Sequence, residues 1–385
     1  MGPDRVAAPG RDARVDLLRG LAILVVMLLH FSLTYRLSQS PIADWLTPRF
    51  VRALIVNGNY GVTIFFAISG FLITSNVLRR DGDLGGVDLR RFYLYRFARI
   101  MPCIVLALGV ITLFGLFGLP SFLDTIKGQP LPASFSILSI VSVLTFWHNV
   151  LMEAVGYFNY CVNIYWSLSV EEVFYLLFPL AALVFRRTRY FVILCLALVA
   201  AGPVYRGMHA DDELYFMYGY LACFDAIALG CLAALLKRKV SLTKRASALL
   251  TWIAAPALAC VYLIGIDGHE AVGFSLIALA TCVLLLTSGM DAQAGRPARL
   301  LDPLRWMGRH SYELYLFHIV VLACMRDLVS RDTLANGTKP LWLLVFIALS
   351  CAVAAAVSRY FSEPANRALR QRFAAPRNLL AGEAS

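Results

Sequence analysis

The chain reads as an all-α polytopic membrane protein, and three observations carry that reading. Of its 385 residues, 59% are hydrophobic and only 15% charged. The charged residues sit in short stretches between apolar runs, each of roughly the 20 residues that span a bilayer as a helix. Alternating segments of about ten residues, the mark of a membrane barrel, are absent. A segment in lipid must satisfy its own backbone polar groups, and an uninterrupted apolar run does so as a helix.

Apolar segments fall at 15–36, 58–78, 99–119, 134–152, 163–185, 190–209, 214–236, 247–266, 271–289, 310–330 and 340–360. Loop charge selects among them. If 134–152 crosses the membrane, Arg186, Arg187 and Arg189 face outside, as does the KRK run at 237–239. If it does not cross, about 25 of the 35 Lys and Arg lie inside and about eight outside, the arrangement that the positive-inside rule selects. Ten spans with both termini cytoplasmic follow. The expected organisation is a cytoplasmic segment 1–14, a ten-helix domain over 15–360 and a cytoplasmic tail 361–385. Residues 120–162 form an external stretch, within which 134–152 either dips into the membrane or lies along its surface.

The net charge of +11 belongs to these loops, so nucleic acid is not an expected partner. The nine cysteines show no C-x-x-C or zinc spacing, and no metal is expected. They read as small helix-packing residues. No cleavable signal peptide is expected before the first span. The two halves of the chain show no internal repeat, which weighs against a secondary transporter.

Polar residues inside the spans carry the functional reading, because ionisable groups there usually face a protein-lined cavity. Arg19 and His30 bracket RGLAILVVMLLH. Eleven residues bring them back to one helix face, separated by roughly 16 Å along the axis. A cytosolic donor with a charged head and a long arm, such as coenzyme A, would match that separation. Neutral histidine suits a general base. The alternatives are a snorkelling anchor for Arg19 and a packing histidine for His30.

In NIYWSLSVEEVFYLLFP, Glu171 and Glu172 lie at a depth similar to that of His30. One of these carboxylates can fix the histidine tautomer; the alternative is an internal hydrogen-bond partner. Arg96 and Arg99 in RRFYLYRFARIMP share a helical face. They suit either phosphate binding or plain topological anchoring. Ser311, Tyr315 and His318 of GRHSYELYLFH, with Tyr312 beside them, form a polar stripe that can line a donor pocket or bond between helices. Trp147, Tyr157, Tyr160 and Trp166 are candidates for holding an acceptor on the outer side, since interfacial aromatics either anchor a protein or stack on sugars and head groups. Gly58, Gly61 and Gly70 read as packing positions.

Six pieces together, RVDLLRGLAILVVMLLH, GVTIFFAISGFLI, RFYLYRFARIMP, WSLSVEEVFYLLFP, GRHSYELYLFH and FSEPANR, give the chain a resemblance to the membrane-bound acyltransferase-3 family. That family includes bacterial O-acetylases of lipopolysaccharide and other glycans. The likeness covers about residues 12–370. It implies ten transmembrane helices in the bacterial cytoplasmic (inner) membrane and acyl transfer from acyl-CoA, usually acetyl-CoA, to a hydroxyl of a carbohydrate or glycolipid acceptor. The family's arginine-x10-histidine pair falls on Arg19 and His30, its arginine-x-x-arginine motif on Arg96 and Arg99, and its glutamate on Glu171. Its serine-tyrosine segment falls on Ser311, Tyr312 and His318. Some members carry an extracytoplasmic esterase-like domain, so a separate transfer partner is one expectation for this chain.

The expected mechanism places the donor phosphates on Arg96 and Arg99 with help from Arg19. His30 acts as general base or acyl relay, with Glu171 orienting its ring and Glu172 adjacent. An O-acyltransferase of a small secondary metabolite is the alternative within this class. A glycolipid or solute transporter, or a non-catalytic glycolipid-binding scaffold, is the alternative outside it.

Overall fold

The computed structural model describes residues 12–288 and 299–374. Ten long helices run through it: α1 Ala13–Tyr35, α2 Tyr60–Asp81, α3 Leu89–Leu116, α4 Trp166–Val184, α5 Thr188–Met208, α6 Tyr220–Lys239, α7 Lys244–Ile264, α8 Glu270–Leu286, α9 Ser311–Leu328 and α10 Lys339–Val357. Each coincides with one of the ten apolar segments other than 134–152. Eight are long and apolar enough to cross a membrane by themselves. Of the other two, α8 has 17 residues, and α9 carries Glu313, Arg326 and Asp327 near its ends. The chain is a multi-pass membrane protein.

Local chemistry sets the ends of these helices. Asp12 caps α1 by accepting from the Arg14 and Val15 amides at 3.0 and 3.3 Å, and Asp88 caps α3 through the Arg91 amide at 3.0 Å. Side-chain oxygens at this position satisfy amides that the first turn leaves unbonded. Because of that cap, α3 begins at Leu89 and not near 99, and the whole cationic run Arg90–Arg99 is helical.

The 134–152 segment forms two short helices, Ala133–Leu144 and His148–Val155, with Phe146 at φ 65° between them. Helices of 12 and 8 residues extend only about 18 and 12 Å. The Thr125 amide donates to the Phe158 carbonyl at 2.7 Å, so the excursion returns to where it began. It does not cross the bundle.

Backbone-to-backbone contact at glycine holds the core helices together. A Cβ on Gly70 of α2 would stand 1.9 Å from the Ile227 carbonyl oxygen, and one on Gly230 of α6 would stand 2.1 Å from that of Ala67. The contact is reciprocal, and only hydrogen fits on either side. Gly20 of α1 and Gly308 of the short Asp302–Arg309 helix make the same arrangement, at 1.9 Å from Leu304 O and 1.7 Å from Asp16 O. Lipid offers helices no hydrophobic reward for associating, so close approach at small residues supplies the packing energy. A second device is the buried ion pair of Arg206 on α5 with Asp225 on α6, at 2.7 Å. Arg206 also bonds Ala271 O at 3.0 Å and Ser275 at 2.7 Å. Every part of that guanidinium is occupied, which suits a structural tie.

Beyond α10, a π-turn over Ser358–Ser362 leads into a terminal helix, Glu363–Ala374. Ser362 donates to Glu313 of α9 at 2.7 Å, and the terminal helix packs along α3. The expected cytoplasmic tail from 361 thus contains a helix, Glu363–Ala374, that packs on the bundle. Residues 1–11 and 375–385, part of the expected terminal segments, lie outside the described residues.

Candidate active site

A cavity of about 1000 Å³ opens among α2, α3, α4 and the start of α9. Arg19, Arg96, Arg99, Glu171, Glu172, Ser311, Tyr312 and Tyr315 all line it. Of the expected donor-site residues, His318 alone lies outside this lining. The volume is at the upper end of small-molecule sites, which run to about 1000 Å³. Its wall is cationic at the end formed by Arg79, Arg80, Arg91 and Arg370. Phe65, Ser167 and Tyr315 line it further along the bundle.

Four corrections follow from the geometry. The first concerns Glu171. It accepts from Ser69 Oγ and the Tyr175 hydroxyl and pairs with Arg96 at 3.0 Å, so it does not orient His30. The physical reason is neighbourhood: α1 packs against α2, α9 and α10, whereas Glu171 draws its partners from α2, α3 and its own helix. The second concerns Arg96, which also pairs with Glu172 at 3.3 Å. Its guanidinium carbon lies 3.3 Å from the centre of the Tyr175 ring. Two carboxylates and an aromatic face engage this arginine, so it compensates the glutamates, and the expected phosphate contact is not its first role. Arg19 and Arg99 line the same cavity and form no ion pair or hydrogen bond among the described residues.

The third correction concerns His318, expected among the donor contacts. It is fully buried and meets His30, with His30 Nδ1 and His318 Nε2 2.9 Å apart. His318 Nδ1 lies 2.9 Å from the Leu314 carbonyl oxygen. A carbonyl only accepts, so His318 Nδ1 carries the hydrogen; in the neutral ring Nε2 is then the acceptor. His30 must donate to it from Nδ1, which leaves His30 Nε2 unprotonated. Two successive hydrogen bonds therefore select the His30 tautomer that can receive a proton. Tyr315 stands beside this pair, its ring 6.0 Å from that of His318. Its hydroxyl bonds Ser167 at 2.5 Å and Ile164 O at 2.9 Å.

Fourth, the four aromatics expected to hold an acceptor divide: Trp147, Tyr157 and Trp166 gather around Tyr218, and Tyr160 stands apart from them. Trp166 packs on Tyr218 at 4.5 Å and Phe66 at 6.0 Å, and Trp147 packs in the same small cluster with Leu151 and Met152. Tyr157 is half exposed and bonds the Tyr218 hydroxyl at 2.7 Å. Only Tyr160 lies next to the histidine. It bonds Thr34, which donates to the His30 carbonyl at 2.9 Å, and Arg326 sits 4.9 Å over its ring.

Sequence reasoning missed Ser69 and Tyr175 as carboxylate partners and Arg206 with Asp225 as a buried pair. Tyr175 was accessible in principle, being four residues after Glu171 on one helix face. Arg206 and Asp225 were legible as charges within apolar runs. Among the described residues no three His, Cys, Asp or Glu side chains are grouped as metal ligands.

The fold and site define a polytopic membrane protein with a large, arginine-lined cavity and, outside its lining, a His30–His318 pair in which His318 is fully buried. A family model described as an acyltransferase domain matches residues 12–359. The chain belongs to the acyltransferase-3 family. It is 24% identical over 390 residues to the O-acetyltransferase OatA of Staphylococcus aureus (strain NCTC 8325 / PS 47), covering 94% of this chain and 58% of that protein. It is 26% identical over 330 residues to the peptidoglycan O-acetyltransferase OatA of Listeria monocytogenes, covering 80% of this chain and 49% of the relative. With the putative peptidoglycan O-acetyltransferase YrhL of Bacillus subtilis it shares 24% identity over 382 residues, 92% of this chain and 54% of that one. The chain thus spans between about half and three-fifths of the length of these relatives. No solved structure matches it.

Proposed function

We propose that the chain is a membrane-embedded O-acyltransferase of the bacterial cytoplasmic membrane. It moves an acetyl group from cytosolic acetyl-CoA to a hydroxyl of a cell-envelope carbohydrate. The observation that supports this most is the cavity itself: guanidinium groups gather at one end, and Tyr315 in its lining has its ring 6.0 Å from that of His318, the partner of His30. The names of the relatives favour a glycan acceptor, peptidoglycan among them.

In this reading Arg19 and Arg99 attract the anionic part of the donor, and its pantetheine arm lies along the cavity. His30 Nε2 takes the proton of the acceptor hydroxyl as the oxygen attacks the thioester carbonyl. The tetrahedral intermediate collapses, the C–S bond breaks, and the imidazolium returns the proton to the departing thiolate. The products are the ester and free coenzyme A. His318 holds His30 in the accepting tautomer through both stages. Arg96 neutralises Glu171 and Glu172 and so keeps the cavity wall in place.

The test uses membranes containing the wild type or His30→Ala, supplied with acetyl-CoA labelled in the acetyl group. General-base assistance is worth about 10²–10⁴ in rate. Label is expected in a glycan or glycolipid with the wild type and near background with the variant. Transfer at the wild-type rate by folded His30→Ala protein would refute the assignment.

A further inference from the structure

The cationic end of the cavity holds a second arrangement, distinct from Arg96 and Arg99. Arg80 at the end of α2, Arg91 at the start of α3 and Arg370 on the terminal helix surround the ring of Tyr95. Their guanidinium carbons lie 5.5, 5.6 and 4.8 Å from its centre. All four residues line the cavity. The Nε atoms of Arg80 and Arg370 are buried without a hydrogen-bond partner among the described residues. The acid within ion-pair range is Asp81, 3.4 Å from Arg80 Nε. Three positive charges therefore meet one negative charge around a single ring; Arg80 Nε faces Asp81 only at ion-pair distance, and Arg370 Nε is buried without an acceptor among the described residues.

Like charges gathered in this way repel, and buried donors left without acceptors cost free energy. A polyanion with several oxygens relieves both, and the planar fork of arginine matches phosphate oxygens two at a time. Tyr95 holds the three guanidiniums in place by cation–π attraction. The terminal helix is fixed for this purpose by the Ser362–Glu313 bond at 2.7 Å, which sets where Arg370 falls.

We propose that Arg80, Arg91 and Arg370 around Tyr95 form the subsite for the phosphate groups at the nucleotide end of the donor, so that the terminal helix is a working part of the site. The proposal rests on the acyl-CoA reading above and adds to it where the phosphates go.

The test measures coenzyme A binding by calorimetry to the purified full chain in detergent, for the wild type, Arg370→Gln and Arg91→Gln. It then compares kcat/KM for acetyl-CoA and for S-acetylpantetheine, which lacks every phosphate. Each substitution removes a charge-assisted hydrogen bond and is expected to raise Kd for coenzyme A by about tenfold or more. Each should also cut the preference for acetyl-CoA over S-acetylpantetheine by about the same factor. Wild-type Kd in both variants would overturn the subsite and leave the acyl-CoA reading standing. Equal loss with both donors would overturn it as well, since the arginines would then act on the fold. A wild type that does not bind coenzyme A would refute the donor reading and the subsite with it. Should Arg370→Gln fail to fold, Arg91→Gln carries the test, because Arg91 is exposed.

Discussion

Replacing His318 by alanine tests the link between the tertiary structure and the chemistry most directly. The substitution removes the acceptor for His30 Nδ1–H, which lies 2.9 Å away, a normal length for a hydrogen bond between nitrogens or from nitrogen to oxygen. Leaving a buried donor unsatisfied costs about 1–3 kcal/mol. If that cost falls on the reactive tautomer and orientation of His30, kcat drops by about 5–150-fold, at about 1.4 kcal/mol per factor of ten. His318 does not line the cavity, so KM for acetyl-CoA should stay within about twofold of the wild-type value, well inside one factor of ten. His318→Gln carries a side-chain carbonyl that can accept the same hydrogen and should recover part of the lost rate. The assay is acetyl transfer from labelled acetyl-CoA in proteoliposomes, normalised to monodisperse protein. A kcat for His318→Ala equal to that of the wild type, with His30→Ala inactive, would show that the histidine needs no partner and would refute the tautomer argument. Failure of the glutamine variant to recover any rate would point to packing in place of hydrogen bonding.

Two further perturbations separate structural from chemical roles. Arg96→Ala removes the cation between Glu171 and Glu172, whose side chains are 19% and 8% exposed. Breaking one side of a buried pair costs about 3–5 kcal/mol, so the variant is expected to melt at clearly lower temperature in detergent, whereas Arg96→Lys should retain much of the stability. An Arg96→Ala protein as stable as the wild type, changed only in KM for acetyl-CoA, would return this arginine to the donor site. Gly230→Ala brings a methyl group to 2.1 Å from the Ala67 carbonyl oxygen, and the helices must part by over about 1 Å, at a typical overpacking cost of about 1–3 kcal/mol. Thermal melting should report that loss, while Gly109→Ala, where added Cβ meets nothing within 4 Å, should not fall. Equal melting of the two variants would remove the glycine contact as a source of stability.

Much of this architecture was legible before any coordinates. Ten of the eleven apolar segments became long helices because, in lipid, length and apolarity leave the backbone few other solutions. Loop charge argued against 134–152 as a span, and there the structure has two short helices with Phe146 at φ 65° between them. The depth of each polar group was legible too, since a helix advances 1.5 Å per residue whatever surrounds it. Arg19, Arg96, Arg99, Ser311, Tyr312 and Tyr315 were read as donor contacts and all line one cavity, which Glu171 and Glu172, read as partners of His30, line as well.

Depth along an axis does not state which helices stand side by side or which way each is turned. Glu171 and His30 lie at similar depth, yet α1 meets α9, and the partner of His30 is His318. The same gap assigned Arg96 to phosphate when two glutamates already hold it, and it grouped Tyr160 with three aromatics that gather elsewhere, around Tyr218. It also left Arg370 in a tail, because only the packing of the terminal helix on α3 carries that side chain to Tyr95. The long apolar spans and the spacing of charges along each were readable from the chain alone, because those depend on each segment and its solvent, whereas the cationic turns that extend α3 back to Leu89 and the terminal helix were not. The order of helices around the bundle, their rotation, and hence every pairing at the site were decided by tertiary contacts, in which a glycine facing a carbonyl sets the approach of two helices far apart in the chain.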